Sequence, residues 1–340
     1  AGAATTIHSP CIYAKDAVDV AITGRGEIDG GGARWWAAFR AGTLAHPRPT
    51  LIGLHGCSRV EIAGVTLRNS PAWTVHPLLS DDVRITGIRI INPPDSPNTD
   101  GIDPESCRNV RISDCHIDVG DDCIAIKAGS EGSPDRVPCE NIAITNCTMI
   151  HGHGGVVIGS EMSGGVRGVV ISNCVFQGTD RGIRIKSRRG RGGTVADVRV
   201  SNIVMDRVMC PLVINPFYFC GPDGKLPIVS DRTPQQVDAG TPRFRGIHLS
   251  HITATNVQSC AAFISGLPEA PLDDVSLDHV SISFAPDAEP AVPAMADGVA
   301  AMAAAGIQAQ FTTGLRISGL RLDGVVGPDL VADDTVEVAR

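Results

Sequence analysis

The chain repeats one hydrophobic pattern, in which two apolar residues flank one position and a third apolar residue follows three positions later. The pattern occurs at Val60/Ile62/Val65, Val83/Ile85/Ile88, Val110/Ile112/Cys115, Ile142/Ile144/Cys147, Val169/Ile171/Cys174, Val198/Val200/Ile203, Ile247/Leu249/Ile252, Val275/Leu277/Val280 and Leu315/Ile317/Leu320. Successive repeats begin roughly 30 residues apart, except for longer intervals after Val198 and after Val275. An internal repeat of this length predicts a solenoid, in which each repeat packs on its neighbours.

The repeats are rich in Val, Ile and Gly, and the alternation of apolar and polar positions indicates β-strands. Asn recurs beside the strands, at Asn109, Asn141, Asn146, Asn173 and Asn202, where a turn is expected. The regular Leu spacing of leucine-rich repeats is absent. We therefore predict an all-β fold, a parallel β-helix of about nine to ten coils, forming one domain over residues 1–340. The long interval after Val198 predicts an inserted loop at about residues 205–245.

Composition narrows the function classes. Aromatic residues make up only 4% of the chain and the formal net charge is −8, which argues against a nucleic-acid-binding protein. No apolar run approaches the roughly 18 residues of a membrane span, so no membrane partner is expected. No charged-then-apolar leader opens the chain, and the compartment is left open between the bacterial cytoplasm and the periplasm or the outside. The oligomeric state is not indicated.

The eleven cysteines are an odd number, so at least one cannot pair within the chain. Cys115, Cys147 and Cys174 share the third position of the repeat, which predicts an inward ladder of small apolar side chains. A metal site is the alternative, but no His or Cys-x-x-Cys spacing accompanies these thiols. Reduced thiols favour a cytoplasmic setting.

Carboxyl groups are concentrated in two neighbouring repeats. Alignment of the apolar residues places Asp100-Gly101-Ile102 over Asp122-Cys123-Ile124, so Asp100 and Asp122 should be neighbours one coil apart, with Asp121 beside both. Three carboxylates so close disfavour one another's ionisation, and we expect them to share a proton. An isolated Asp after Asn or Gly is usually a turn residue, but the further polar segments on adjacent coils favour a catalytic interpretation.

Cationic side chains follow on later coils. Arg184 and Lys186 alternate with Ile183 and Ile185, so both cations should leave the core on one outer face of a strand. Arg188, Arg189 and Arg191 continue the positive run, either as a solvated strip or as contacts for an acidic ligand.

Four segments, in this order, resemble the polygalacturonase family of pectin-degrading enzymes, glycoside hydrolase family 28, and in particular its bacterial exo-acting members. They are Asn98-Thr99-Asp100, Gly120-Asp121-Asp122, Gly152-His153-Gly154 and Arg184-Ile185-Lys186, and they lie between further matches at Ile22–Gly30, Ser70–Pro77 and Gly266–Glu269. The resemblance implies a right-handed parallel β-helix. It also implies an N-terminal stretch that caps the first coil, which we expect to be missing here.

The resemblance further implies hydrolysis of α-1,4-galacturonosidic bonds in polygalacturonate by an inverting single displacement. In that assignment Asp121 is the general acid, Asp100 and Asp122 activate water, and His153 lies near the acid and the substrate. Substrate binding is expected of Arg184 and Lys186 at the uronate, and also of Asn98, His76, Arg188 and Tyr218. The insertion is expected to wall one end of the cleft and to make the enzyme exo-acting.

Alternatives remain at this stage. They are a rhamnogalacturonan-type hydrolase, a calcium-dependent pectate lyase on the same fold, and a non-catalytic β-helix that binds acidic polysaccharide. Calcium would be held by carboxylates, with an Arg as base. The Gly152-His153-Gly154 and Arg184/Lys186 segments favour the hydrolase, for which no metal and no cofactor is expected.

Overall fold

A computed structural model describes residues 7–221 and 223–338 of the chain. Its first half contains β1 (Ile12–Lys15), β2 (Val18–Thr23), β3 (Glu27–Asp29), α1 (Ala33–Arg40), β4 (Ile52–His55), β5 (Ser58–Ala63), β6 (Thr66–Arg68), β7 (Val75–Leu78), β8 (Asp81–Thr86), β9 (Arg89–Ile91), β10 (Arg108–Ser113), β11 (His116–Val119), β12 (Ile124–Ile126), β13 (Cys139–Thr145) and β14 (Thr148–His151). Its second half contains β15 (Val156–Gly159), β16 (Val166–Gln177), β17 (Arg181–Lys186), β18 (Thr194–Asp206), β19 (Cys210–Asn215), α2 (Pro227–Ser230), β20 (Arg243–Val257), β21 (Cys260–Ser265), β22 (Leu272–Phe284), β23 (Ala305–Gln310), β24 (Thr312–Ser318), β25 (Arg321–Asp323), β26 (Val326–Ala332) and β27 (Val336–Val338).

The strands stack in parallel, coil upon coil, in the register that the apolar pattern predicts. Val60 pairs with Val83, Val83 with Val110, and the series continues through every repeat to Leu315. The first residue of each repeat is at most 2% exposed. One earlier coil joins the stack, because Val20 of β2 pairs with Val60. The register is fixed in this way because a slip of one residue would turn the apolar set toward solvent.

A second face of the helix carries the polar segments. It consists of a three-stranded sheet, β1-β4-β7, and a seven-stranded sheet from β12 to β26. The two sheets are linked through isolated bridges, of Ile102 to Val75 and Ile124 and of Glu105 to Leu78 and Lys127. Pro104 has no backbone N–H to donate, which keeps this segment from extending into a strand. The gap between the sheets is the point at which Asp100 and Asp122 meet.

The turns and the inward cysteines match their predicted roles. The turn residues Asn109, Asn141, Asn146, Asn173 and Asn202 all have positive φ, between 55° and 61°, a conformation that Asn tolerates well. Cys115, Cys147 and Cys174 are buried and not in disulfides. Each thiol lies 3.2 Å from the backbone oxygen two residues before it. The three cysteine side chains therefore pack in the hydrophobic core.

The predicted insertion at about 205–245 is only partly irregular. Strand β19 lies within it, and the ends of β18 and β20 overlap its limits, so the inserted segment is residues 216–242 with the short helix α2. The repeat pattern did not identify β19 because that strand lies in the seven-stranded sheet of the second face. Neither α1 nor α2, the helices of the described residues, has the length and apolar character needed to cross a membrane.

Candidate active site

The three carboxyl groups meet where the two sheets of the second face are joined. The bridge between Ile102 and Ile124 stacks the two segments, and the Gly101 N–H donates to the Asp122 carbonyl at 3.0 Å. One oxygen from each of Asp100, Asp121 and Asp122 lies within 4.8 Å of the other two. The predicted contact between neighbouring coils is confirmed.

Asp122 is held by two cations from a strand two levels away. The Lys186 ammonium donates to Asp122 Oδ2 at 2.7 Å, and Arg184 Nη1 donates to Oδ1 at 3.4 Å. Between these levels lies Gly154, where a Cβ atom would be 3.4 Å from Asp122 Oδ1 and 3.7 Å from the Arg184 Cβ. The absence of a side chain at this position leaves the path open for the two long cations.

Arg184 and Lys186 do leave the core, as the alternation with Ile183 and Ile185 predicts, but they do not lie on an open face. They are 2% and 6% exposed. Residues of later loops lie over them, because Arg184 Nη2 contacts the Met295 sulfur at 2.9 Å and both cations lie over the Tyr218 ring at 5.2–5.6 Å. Burial lowers the pKa of Lys186, and the charge of Arg184 adds to that effect.

Asp121 lies at the cleft side of the trio and is held by its neighbours. His153 Nδ1 is 3.2 Å from Oδ1, the Asn98 amide donates to Oδ2 at 3.4 Å, and the Asp122 N–H donates to Oδ1 at 2.9 Å. Gly152, at φ +75°, makes room for this arrangement, since a Cβ there would lie 2.3 Å from the Asp121 carbonyl oxygen. The Asp121 segment and the His153 loop thus pack directly against each other.

The three carboxyl groups of the trio do not share a proton equally, because the pKa values of Asp100 and Asp121 are shifted in opposite directions. Burial raises the pKa of Asp121, but the hydrogen bond and charge of His153 outweigh it and lower the pKa to about 2. The same bond raises the pKa of His153. For Asp100, burial and the nearby carboxylate of Asp103 raise the pKa well above its ordinary value. In the free protein the raised carboxyl pKa therefore belongs to the buried Asp100, whereas the partly exposed Asp121 lies beside His153, whose pKa is raised.

Tyr218 is brought to the site by the insertion. Its N–H donates to the Ser187 carbonyl at 3.0 Å, which places the ring beside the two cations. Burial raises the pKa of its hydroxyl, so the group stays neutral and can donate a hydrogen bond. Apart from its location in the insertion, no sequence feature pointed to Tyr218.

The basic run of Arg188, Arg189 and Arg191 is not a solvated strip, because all three side chains are buried. Arg188 is 2% exposed and is paired with Glu131, with Asp223 at 3.7 Å. Arg189 forms a bidentate pair with Glu269 and donates to carbonyl oxygens of Ile228, Asp231 and Thr233. These partners come from distant loops, so the basic run fastens the insertion to the β-helix.

His76 lies on the same face as the trio but contacts other residues. Its Nε2 is 2.9 Å from Glu105 Oε2, and its ring meets Trp73 edge to face at 4.9 Å. Trp73 in turn lies under the Lys127 ammonium at 4.4 Å. His76 and Trp73 are therefore connected to the trio through Lys127, which lies near Asp100.

Two residues around the trio were missed. Lys127 follows Ile124-Ala125-Ile126 in the same alternation that identified Arg184 and Lys186, and its Nζ is 3.7 Å from Asp100 Oδ2. Arg48 donates to Asn98 Oδ1 at 2.6 Å and to the carbonyls of Pro71 and Pro97. The alternation would have identified Lys127, whereas no sequence pattern marks Arg48.

The spacing of the trio would permit a divalent cation. However, Arg184 and Lys186 already lie on Asp122, and Lys127 lies near Asp100. Side chains of the protein thus supply the positive charge that a cation would otherwise bring, and we assign no metal to the trio.

Carboxyl groups beside a histidine with a raised pKa and beside buried cations can transfer protons and bind an acidic ligand. The profile of the family described as Glycosyl hydrolases family 28 matches residues 5–288. The chain belongs to this family.

Individual relatives agree with this assignment. A probable polygalacturonase of Vitis vinifera is 38% identical over 291 residues, covering 84% of this chain and 57% of that protein. An endo-polygalacturonase of Pectobacterium carotovorum subsp. carotovorum is 35% identical over 243 residues, 68% of this chain and 58% of its own. The chain thus spans a little over half the length of these two relatives.

Among solved structures, a hyperthermoactive exopolygalacturonase from Thermotoga maritima superposes with a TM-score of 0.77 at 29% identity, covering 94% of this chain and 73% of that one. The similarity in fold confirms the predicted right-handed parallel β-helix. Because both exo- and endo-acting enzymes are among the relatives, the names leave the mode of cleavage open.

Proposed function

We propose that the protein hydrolyses α-1,4-galacturonosidic bonds in polygalacturonate and its oligomers. The observation that carries the proposal is the contact of Asp122 with Arg184 and Lys186, next to the pair of Asp121 and His153, in a chain of this family. A site of this kind combines groups that move protons with cations that match a uronate. The lyase and the rhamnogalacturonan hydrolase have no comparable observation in their favour.

In this proposal Asp121 protonates the glycosidic oxygen while water attacks the anomeric carbon. Asp100 and Asp122 orient that water and accept its proton, so the bond to the leaving sugar breaks as the bond to water forms. The product would be the β-anomer, by inversion. The carboxyl oxygens lie closer together than the roughly 6.5–9.5 Å usual for inverting enzymes, so inversion is proposed from family membership and not from spacing.

The proton for the leaving group comes from the His153–Asp121 pair. Asp121 is ionised in the free protein because the charge of His153 lowers its pKa. When the glycosidic oxygen takes up its position, the pair still holds one proton, and Asp121 delivers it to the substrate. Asn98 supports this by keeping its amide on Asp121 Oδ2.

The substrate uronate would lie between Arg184, Lys186 and Tyr218. A carboxylate entering there competes with Asp122 for the two cations and frees Asp122 to hold water. The insertion carries Tyr218 and is fastened by Arg189 at this end of the cleft, which supports exo cleavage. His76 would act from the rim of the cleft together with Trp73, and the buried Arg188 would act through its pair with Glu131.

The test is the product mixture from polygalacturonate for the wild type and for Asp121→Asn. We expect galacturonate or its dimer from the wild type, unchanged by EDTA and without absorbance from unsaturated ends. The D121N variant should lose turnover and retain oligogalacturonate binding. Undiminished turnover by D121N would refute the assignment, mixed oligomers would refute exo action, and calcium-dependent unsaturated products would identify a lyase.

A further inference from the structure

A groove opens at the end of α1, on the side of the trio that faces away from Arg184 and Lys186. Its volume is about 510 Å³, which lies within the range of small-molecule sites, roughly 300–1,000 Å³. Its walls include Phe39, Leu44, His46, Arg48 and Ala72. We call this cavity the α1 groove. The function proposed above does not use it.

The α1 groove and the two buried cations flank the trio along the axis of the β-helix. The groove residues 44–48 precede β4, which pairs with β7, and β7 is bridged to the coil of Asp100. Strand β17, with Arg184 and Lys186, lies two levels beyond the coil of Asp122. A sugar chain that crosses the trio from the two cations would therefore continue toward the groove.

Arg48 forms the wall between the α1 groove and the trio. Its Nη2 donates to Asn98 Oδ1 at 2.6 Å, and the Asn98 amide donates to Asp121 Oδ2 at 3.4 Å. Its Nη1 donates to the carbonyl oxygens of Pro71 and Pro97 at 2.8 and 2.6 Å. Only the Asn98 side chain thus separates this wall from Asp121.

The positive charge of Arg48 is not paired with a carboxylate in the described part of the chain, because its acceptors are all neutral oxygens. Its three hydrogen bonds leave two of the five N–H groups of the guanidinium for another acceptor. Burial lowers the pKa of Arg48, and the charges of Asp100 and Asp121 act in the opposite direction without contacting it. A half-buried cation with unused donors favours an anionic ligand.

The other walls of the α1 groove are apolar or neutral. The Phe39 ring packs on the Arg48 guanidinium, 4.0 Å from the ring centroid, and Phe39 is 45% exposed. Leu44 and Ala72 add apolar surface, and the exposed His46 supplies a polar group. Apolar surface with a few polar groups and one cation suits a uronate, whose ring has apolar C–H groups and whose substituents are hydroxyls and a carboxylate.

We propose that the α1 groove binds a second galacturonate unit of the substrate, with its carboxylate facing Arg48 and His46 and its ring against Phe39. The inference rests on the proposed function, because it extends the same bound sugar chain across the trio. Carboxylates of the substrate are then held on both sides of the trio, at Arg184 and Lys186 on one side and at Arg48 on the other. Binding at two points aligns the bond that is cleaved with the carboxyl groups.

The experiment measures the dissociation constant of trigalacturonate by calorimetry for Phe39→Ala and His46→Glu, each in the D121N background to prevent turnover. Val204, which is 52% exposed on β18 in the other sheet, provides the matched controls Val204→Ala and Val204→Glu. F39A should weaken binding roughly three- to tenfold, and H46E at least roughly tenfold, because it places a negative charge against the uronate. V204A and V204E should bind like D121N alone. Unchanged binding in F39A or in H46E would overturn the proposal.

The salt dependence tests whether a carboxylate faces His46. The dissociation constants of H46E and V204E should become more similar at about 1 M salt, where the Debye length is about 3 Å, whereas the ratio between F39A and V204A should persist. A ratio of H46E to V204E that does not change with salt would overturn the placement of the uronate.

Turnover by enzymes that retain Asp121 separates binding in the α1 groove from a structural role. F39A and H46E should raise KM for trigalacturonate and leave kcat within about twofold, because contacts in the groove are the same before and in the transition state. A lower kcat at unchanged KM would overturn the inference. A wild type that does not hydrolyse polygalacturonate, but whose binding of trigalacturonate is weakened by F39A and H46E, would overturn the function and support the groove.

Discussion

Replacing Lys186 with Met tests how the buried cation pair supports Asp122. At 2.7 Å the attraction between Lys186 and Asp122 is about 6 kcal/mol for an effective dielectric constant of ~20, and that of Arg184 at 3.4 Å is about 5 kcal/mol. The cost of keeping the charges out of water offsets much of this, and removing one partner of a buried pair typically costs about 3–5 kcal/mol. Because burial and Arg184 already disfavour the charge on Lys186, we expect the lower end, about 3 kcal/mol.

The assay is urea unfolding of the wild type, K186M, D122N and the double variant D122N/K186M. Either single change leaves a buried charge with a weakened partner, while the double change removes both charges of the 2.7 Å contact. The double variant should therefore lose less stability than the sum of the single variants, by about 1–3 kcal/mol. Additive losses, or a K186M variant as stable as the wild type, would refute the reasoning.

Two further predictions concern the residues around this pair. Gly154→Ala would place a Cβ 2.4 Å from Val157 Cγ2 and 3.4 Å from Asp122 Oδ1, so we expect unfolding to be easier by about 1–3 kcal/mol and kcat to fall; a G154A enzyme with wild-type thermal stability and kcat would contradict the close packing. The His153–Asp121 pair raises the pKa of His153, so its contribution to stability is complete below the unfolded pKa of roughly 6.5 and is lost as pH rises through the higher folded pKa. For Asp121, whose pKa is lowered, the contribution is present above roughly pH 3.9 and is lost as pH falls toward about 2. The free energies of unfolding of the wild type and of His153→Gln should therefore differ most between roughly pH 3.9 and pH 6.5. A difference that does not depend on pH would exclude the ion pair.

The register of the β-helix could be predicted because it depends on one physical rule, the burial of the same apolar positions in every coil. The contact of Asp100 with Asp122 follows from that register, and so does the departure of Arg184 and Lys186 from the core. Strand β19 was missed because the repeat was counted on the other face.

What could not be predicted depends on long side chains and distant loops. Arg188 was expected in solvent or on a ligand, but its partner Glu131 comes from a loop whose course the strand pattern does not determine. A proton shared within the trio was expected because the spacing of the three Asp residues in the sequence shows which like charges are close. It does not show how deeply each carboxyl group is buried. Burial beside Asp103 raises the pKa of Asp100, and the contact with His153 lowers that of Asp121.

Asp100, Asp122, Gly154, Arg184 and Asn215 occupy five successive levels of one face. Along the axis of the β-helix their levels are therefore separated by whole multiples of the interstrand distance, roughly 4.8 Å. The dimensions of such a cleft cannot be adjusted continuously. A change of substrate size must come from moving a residue to another level, from a longer or shorter side chain at the same level, or from a different loop over the face. The long Arg184 and Lys186 side chains, which span two levels to reach Asp122, are one such adjustment.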